Sequence, residues 1–411
     1  MSSPAASPIA APKASAAASV RGLRLPLDPL LTIAAAGLAA CSLLTLRAAT
    51  RDLVPGQPHY YVDRQATYLI VGLLLMVGVS LIDYSRLRHL MYVIYAALIL
   101  SILAVIGLGH EAKGSVRAIS LPLFSFQASE LGKVLLILAL SAFVAGRSRR
   151  MHEWGTTARV LLVALVPALL VVVQPDLGSG LVYMAIAGML LFVGGSSWRQ
   201  LAGLLALLLA TGAIAFVAAP AAGVHLLKPY QTERLTSFLH PTSNLEEIKK
   251  QEAKTGEPDP AYQQLESKIA IGSGQKTGRG THSTQTELKF VPEDQTDFVF
   301  AAVGEQYGFV GAALVLSLYA LLIWRALRIL TVAPDRFGSL IAAGVVAMLM
   351  FQVFVNVGMS IGIMPITGVT LPLMSYGGSS VMTTLLALGL LQSIYIRSRA
   401  SEAMKGRIFR Y

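Results

Sequence analysis

Lys289-Phe-Val-Pro-Glu-Asp-Gln-Thr-Asp297-Phe-Val-Phe-Ala-Ala-Val-Gly-Glu305-Gln-Tyr-Gly308 is where a long polar segment gives way to an apolar run. Pro292, Glu293 and Asp294 read as a turn, and Thr296 or Asp297 carries the side-chain oxygen that caps a helix. From Phe298 the chain is apolar over a span's length and is interrupted by one acid, Glu305. Asp297 therefore stands at the edge of an expected membrane span, with Glu305 inside it. Two readings of Asp297 stay open: an ordinary N-cap, or a functional acid at the membrane surface. Glu305 is harder to treat as neutral, because a charged side chain within an apolar span costs about 3 kcal/mol unless it is paired or wetted.

Working outward, the whole chain fits a membrane frame. It has 411 residues, of which only 13% are charged, and a mean hydropathy of +0.63. Those values exclude an ordinary soluble domain with one large core. The net charge of +11 does not indicate a nucleic-acid partner, because the basic residues gather between apolar runs and at the C-terminus. The single cysteine, Cys41, lies in the first apolar run and excludes an intrachain disulfide. No Cys/His cluster has metal-site spacing. Residues 1–22, rich in Ala, Ser and Pro, are expected to be a disordered cytoplasmic tail, and 401–411 a basic one.

The fold class expected is all-α and polytopic, with ten spans near 27–47, 66–83, 89–108, 128–145, 160–174, 177–195, 200–222, 298–324, 338–363 and 376–396. Gln174-Pro-Asp176 separates the fifth and sixth, either as a tight re-entry between two helices or as a kink in one. Arg86, Arg88, Arg147, Arg149, Arg150, Arg199, Arg325, Arg328, Arg336, Arg397 and Arg399 all fall on one side if both termini are cytoplasmic. Arg51 and Arg64 oppose this and are outnumbered. The loops 109–127, 223–297 and 364–375 then face outward, and 223–297, between spans seven and eight, is the largest.

These outer loops hold the polar chemistry. Arg117 lies in the first, which runs through Phe124-Ser-Phe-Gln127-Ala-Ser129-Glu130-Leu-Gly-Lys133 into span four. Glu130 and Lys133, three apart, share a helix face and can pair, as a structural tie or as a functional one. Asp176 reads as a helix cap more than a catalyst. In the large loop, Lys228 and Arg234 precede a charged run, 244–267, which reads as a solvated helix or a mobile insertion. Gly272, Gly274, Gly278 and Gly280, interleaved with Lys276 and Arg279, could form a backbone nest for a diphosphate, although a flexible loop has the same composition. The segment Gly362 to Ser380 is dense in Pro, Gly and hydroxyls yet apolar, which suits backbone dipping toward a cavity.

Five motifs in order carry a family resemblance: Phe126-Gln-Ala-Ser129-Glu130 with Lys133, Gln174-Pro-Asp-Leu-Gly178, Lys228-Pro-Tyr-Gln231, Pro292-Glu with Thr296-Asp-Phe298, and Pro365-Ile-Thr-Gly with Leu371-Pro-Leu-Met-Ser-Tyr-Gly-Gly-Ser379. Together they resemble the SEDS family of RodA, FtsW and SpoVE, and the Lys228 and Met364-Pro-Ile-Thr-Gly368 forms are closer to its RodA branch. The chain departs from the family at Ala128, where Pro is usual, and at Ala118, where a Trp usually follows the matching Arg.

The resemblance implies a peptidoglycan glycosyltransferase of the bacterial cytoplasmic membrane, polymerising lipid II at the outer face for elongation and rod shape. Its partner would be a class B penicillin-binding protein that crosslinks the nascent glycan strand. The family's essential acid matches Asp297, a general base for the acceptor sugar hydroxyl. Substrate contacts would come from Arg117, Gln127, Ser129, Glu130, Lys133, Lys228, Arg234, Glu305, Thr367 and Ser375. A divalent cation, Mg2+ or Mn2+, would sit at Asp297. A covalent sugar–carboxylate route would need a second acid, Glu130 or Glu305, and ranks lower. Competing classes are a lipid II flippase, which predicts midplane polar groups and internal repeats, and a noncatalytic scaffold for a crosslinking enzyme.

Overall fold

The computed structural model describes residues 27–50, 56–108, 110–112, 115–120, 125–213, 260–280 and 296–408. In chain order the helices are α1 Pro29–Ala49, α2 Tyr60–Leu81, the short α3 Tyr84–Leu87 leading through a 3-10 turn into α4 Met91–Leu108, α5 Ala128–Ala145, α6 Trp154–Val173, α7 Leu177–Gly194 and α8 Trp198–Ala213. Then follow α9 Pro260–Ser273, α10 Val299–Val332, α11 Arg336–Ile361 and α12 Gly378–Ile408. Among the described residues nine helices are long and apolar enough to cross a membrane. The span expected at 200–222 enters as α8, a shorter apolar helix, and residues 214–222 lie outside the described residues. The expected tail 1–22 also lies outside them, while the expected tail 401–411 begins as the last turns of α12.

One departure from an all-helical chain lies between α4 and α5. There β1 His110–Ala112, β2 Ser115–Ser120 and β3 Ser125–Phe126 form an antiparallel sheet in the order β1-β2-β3, with Ile119 opposite Phe126. Both side chains pack on a small apolar cluster that contains Leu98, Ile102 and Val105 of α4. That anchoring gives the short strands the packed face a lone hairpin lacks.

Local chemistry sets the helix ends. Asp176 Oδ1 accepts from the Ser179 N–H at 3.0 Å and starts α7, which closes on Gly195 in the left-handed conformation. Asp335 does the same for α11, which ends at left-handed Gly362. The Gln174-Pro175-Asp176 turn thus separates two helices that pack on each other, and the single-kinked-helix alternative is excluded.

α5 is the axis of the bundle. Of its core window 78% is buried, against 17% for the stretch Tyr84–Leu108, whose apolar side chains face outward. Around it lie α4, α7, α11 and α12, with α2 against α12 and α1 against α10. At one edge Asp28, wholly buried, caps α1 by accepting from the Leu31 N–H at 2.9 Å, pairs with Arg325 of α10, and donates its N–H to Gln392 Oε1 of α12 at 2.7 Å.

Candidate functional site

The segment from Ile363 to Gly377 has no regular structure, yet Ile366, Thr367, Val369, Leu371, Leu373, Met374 and Ser375 are buried. Irregular backbone at such depth needs partners for its polar groups. It finds them on every surrounding helix, and those bonds assemble the site.

Asp297 lies just outside α10. The residue at the helix start is Phe298, whose side chain cannot cap, so Asp297 stands one position outside the N-cap. Its main chain is gripped from two sides. Asn356 Nδ2 of α11 donates to the Asp297 carbonyl and to that of Val369, both at 2.8 Å. Ser375 Oγ donates to the Thr296 carbonyl at 2.5 Å while accepting from the Leu371 N–H at 2.8 Å. Asn356 and Ser375 thus fix the backbone at Asp297, and the residue keeps partial exposure.

Lys133 Nζ donates to Glu130 Oε1 at 2.6 Å on the buried wall formed by α5. Thr370 Oγ1 lies 3.5 Å from the same oxygen and 3.0 Å from Ser380 Oγ, which links this pair to the buried segment. One turn earlier, Ser129 Oγ donates to Asp176 Oδ2 at 2.7 Å and Gln127 Nε2 to the same atom at 3.2 Å. Asp176 is therefore both the α7 cap and the acceptor that ties α5 to α7. The Gln127 N–H donates to Ser379 Oγ at 3.0 Å, joining α5 to α12. A Cβ on Gly178 would lie 2.6 Å from the Thr367 carbonyl, so α7 presents bare backbone where the segment crosses it.

Gln127, Ser129, Glu130, Lys133, Asp297, Thr367 and Ser375 thus meet around one buried segment, with the Thr367 hydroxyl left unpartnered. Glu305, wholly buried, lies farther along α10. Arg117 lies on β2. Lys228 and Arg234 lie outside the described residues.

Sequence reading missed Asn356 and Gln65. Gln65 Nε2 donates to the Ser375 carbonyl at 3.2 Å and to Ser42 Oγ, itself a donor to the Met374 carbonyl. Beside it Tyr376 stacks edge-on with Tyr61, ring centroids 5.0 Å apart. The signal was available for the first, because Gln352 and Asn356 put two amides one turn apart in an apolar span; Gln65 is a lone amide in α2. Among the described residues no group of three or more His, Cys, Asp or Glu side chains gathers to hold a metal ion. Glu293 and Asp294, the acids nearest to Asp297 in sequence, lie outside the described residues.

Known proteins share this architecture. The chain is 35% identical over 377 residues to the peptidoglycan glycosyltransferase MrdB of Escherichia coli K12, covering 90% of this chain and 94% of that one. A chain from a peptidoglycan synthase complex, solved to show how polymerization and crosslinking are coordinated, superposes with a TM-score of 0.73 at 31% identity over 90% of this chain and 98% of its own. The rod shape determining protein RodA of Thermus thermophilus superposes at 0.64 with 30% identity, over 90% and 97%. The profile of the FtsW/RodA/SpoVE cell cycle proteins matches residues 27–400. This multi-pass membrane protein therefore belongs to the FtsW/RodA/SpoVE family, the SEDS proteins.

Proposed function

We infer that this chain is a peptidoglycan glycosyltransferase that polymerises lipid II at the outer face of the bacterial cytoplasmic membrane, with Asp297 as its general base. The supporting observation is the grip on Asp297: its backbone is fixed by Asn356 and Ser375 while its side chain stays accessible at the end of a span. A base must be held in place yet open to its substrate. Asp297 takes the proton from the acceptor sugar hydroxyl as that oxygen bonds to the donor's anomeric carbon. The bond from that carbon to the diphosphate oxygen breaks, and the lipid diphosphate leaves with its electron pair.

Lys133 is buried and its charge is balanced by Glu130. It serves as a wall residue that keeps α5 in register, and the cations left to face the diphosphate are Arg117, Lys228 and Arg234. A Mg2+ or Mn2+ bound by Asp297 and substrate oxygens would offset charge developing on the leaving group. Ser129, Gln127 and Thr367 set the shape of the wall along which the sugar lies. Both termini are cytoplasmic, and a class B penicillin-binding protein receives the strand for crosslinking.

One observation favours a flippase instead: α10 is broken at Gly308, and broken spans are common in transporters. Purified lipid II decides between them, incubated with the native protein or Asp297→Asn in the presence of the crosslinking partner. Glycan product from the native protein, lost in a folded Asp297→Asn variant, supports the transferase. Equal product from both removes Asp297 as the base and moves attention to Glu130 and Glu305. No product from either, with lipid II crossing liposome membranes, establishes the flippase.

A further inference from the structure

The glycines at 272–280, which as sequence suggest an anion nest, do something else in the fold. The main chain after α9 runs straight into the break in α10. Gly308 has φ +63° and ψ −159°, which divides α10 into a half-helix, 299–307, and a longer one beyond. The first N–H groups of the longer half, Phe309 and Val310, donate to the carbonyls of Gln275 and Lys276 at 2.9 and 3.1 Å. On the other side of the break the Arg279 N–H donates to the Glu305 carbonyl at 2.8 Å. The Gly278 N–H is already donated to the Gly274 carbonyl at 2.8 Å. The strap 274–280 therefore closes both ends of the broken helix, and its Gly278 and Arg279 N–H groups are engaged in that junction.

The approach is too close for side chains. A Cβ on Gly274 would land in the Gly304 carbonyl, one on Gly278 in the Gln306 carbonyl, and one on Gly308 in the strap itself. α9, which leads into the strap, is fixed in turn. Gln264 Nε2 donates to the carbonyls of Met359 and Met364 at 3.2 and 3.0 Å, and Ser267 Oγ to that of Ser360 at 2.9 Å. Met359 and Ser360 lie in the last turn of α11, the helix that carries Asn356, and Met364 lies in the irregular segment just beyond it. The charged run expected to be a solvated or mobile insertion thus ends, over 260–267, as part of a docked helix.

We propose that the strap 274–280 is a positioning element for Asp297, the rear anchor of the half-helix whose front is held by Asn356 and Ser375. The half-helix acts as a lever. Gly308 and Asp297 are eleven positions apart, about 16 Å at the helical rise, so a tilt of about 4° at the break moves the carboxylate by about 1 Å. A misplacement of that size costs about 100-fold in rate. Front and rear anchors together fix position and angle, and neither alone does so.

The catalytic part of this proposal rests on the transferase reading, so the test has two independent readouts. Full-length protein in nanodiscs, with its crosslinking partner, is compared with Gly278→Ala and Gly308→Ala. Gly278→Ala pushes the strap out of the break. Gly308→Ala favours a continuous helix that excludes the strap, and it covers the case in which the first variant fails to fold. Hydrogen exchange at the amides of 298–306 reports the half-helix, and lipid II turnover reports the chemistry. Faster exchange there, with kcat down about 100-fold and KM for lipid II within about threefold, supports the proposal. Exchange at 298–306 unchanged while the strap amides exchange freely overturns it, as does a freed strap with native kcat. If the native protein makes no glycan, the transferase reading fails, and the exchange comparison still decides whether the strap anchors the half-helix.

Discussion

Removing Lys133 should cost more than removing Lys133 and Glu130 together. The two side chains are 2% and 5% exposed and meet at 2.6 Å. At an effective dielectric of about 20 their gross attraction is about 6 kcal/mol. Desolvation of both charges takes back several kcal/mol of that, so the intact pair adds little net stability. Breaking it is another matter: Lys133→Met leaves a carboxylate whose one remaining contact is Thr370 Oγ1 at 3.5 Å. The expected cost of either Lys133→Met or Glu130→Leu is about 3–5 kcal/mol. The double variant, with an apolar pair in their place, should return to within about 1 kcal/mol of native, a coupling of about 5 kcal/mol or more, well outside the additivity of independent sites of about 0.5 kcal/mol. Denaturant-induced unfolding in detergent micelles, followed for native, both singles and the double, measures it. Additive costs, or singles within about 1 kcal/mol of native, would refute the account of a buried, mutually dependent pair. Activity of the double variant then separates roles, because a wall that only needs filling retains polymerisation and one whose charges touch substrate does not.

Two further outcomes follow from the same geometry. Gly178→Ala puts a methyl 2.6 Å from the Thr367 carbonyl and 2.8 Å from Val369 Cγ2, which overpacks by about 1–3 kcal/mol; glycan synthesis per folded molecule should fall at least tenfold, and native turnover would show that the segment yields harmlessly. Outside the spans, burial pushes the Asp83 carboxyl up, but the Ser85 hydroxyl and N–H and the Arg397 guanidinium together outweigh it and hold the group below the ordinary carboxylate range. Its ionised form therefore adds stability that is complete above about pH 4 and is lost as pH falls through the lower folded value. With side chains 35% and 27% exposed the effect stays below about 1 kcal/mol. Arg397→Gln should make thermal stability fall less steeply below pH 4, and an unchanged slope rejects the assignment.

The spans were legible because each is a separate physical requirement: about 20 apolar residues must follow one another whatever they pack against. The site was legible in part. Glu130 and Lys133 announce their pairing because three residues on a helix make one face, and Asp176 announces a cap because it precedes an apolar run after Pro. The amide pair Gln352 and Asn356 was a signal, but it did not say what Asn356 holds until Asp297 and Val369 are seen on either side of it. The break at Gly308 was hidden for a different reason. The apolar run resumes directly after Gly308, and what opens the helix is a strap some thirty residues upstream in the chain. Likewise Ile119 and Phe126 are too short a pattern to read as strands without the α4 surface that receives them.

The clasp at Asp28 has a consequence for how the molecule is made. The carboxylate sits at the head of the first span, while its guanidinium partner is 297 residues later and its amide partner 364 residues later. At about 5–20 residues per second, Arg325 emerges roughly 15–60 s after Asp28. Over that interval the acid lacks the Arg325 guanidinium, and the head of the first span belongs at the water boundary. Burial of Asp28 is thus among the last events of biogenesis. A chain cut before the final span would leave that acid without Gln392 and the first helix without its lock, a natural mark by which quality control can tell an unfinished product from a finished one.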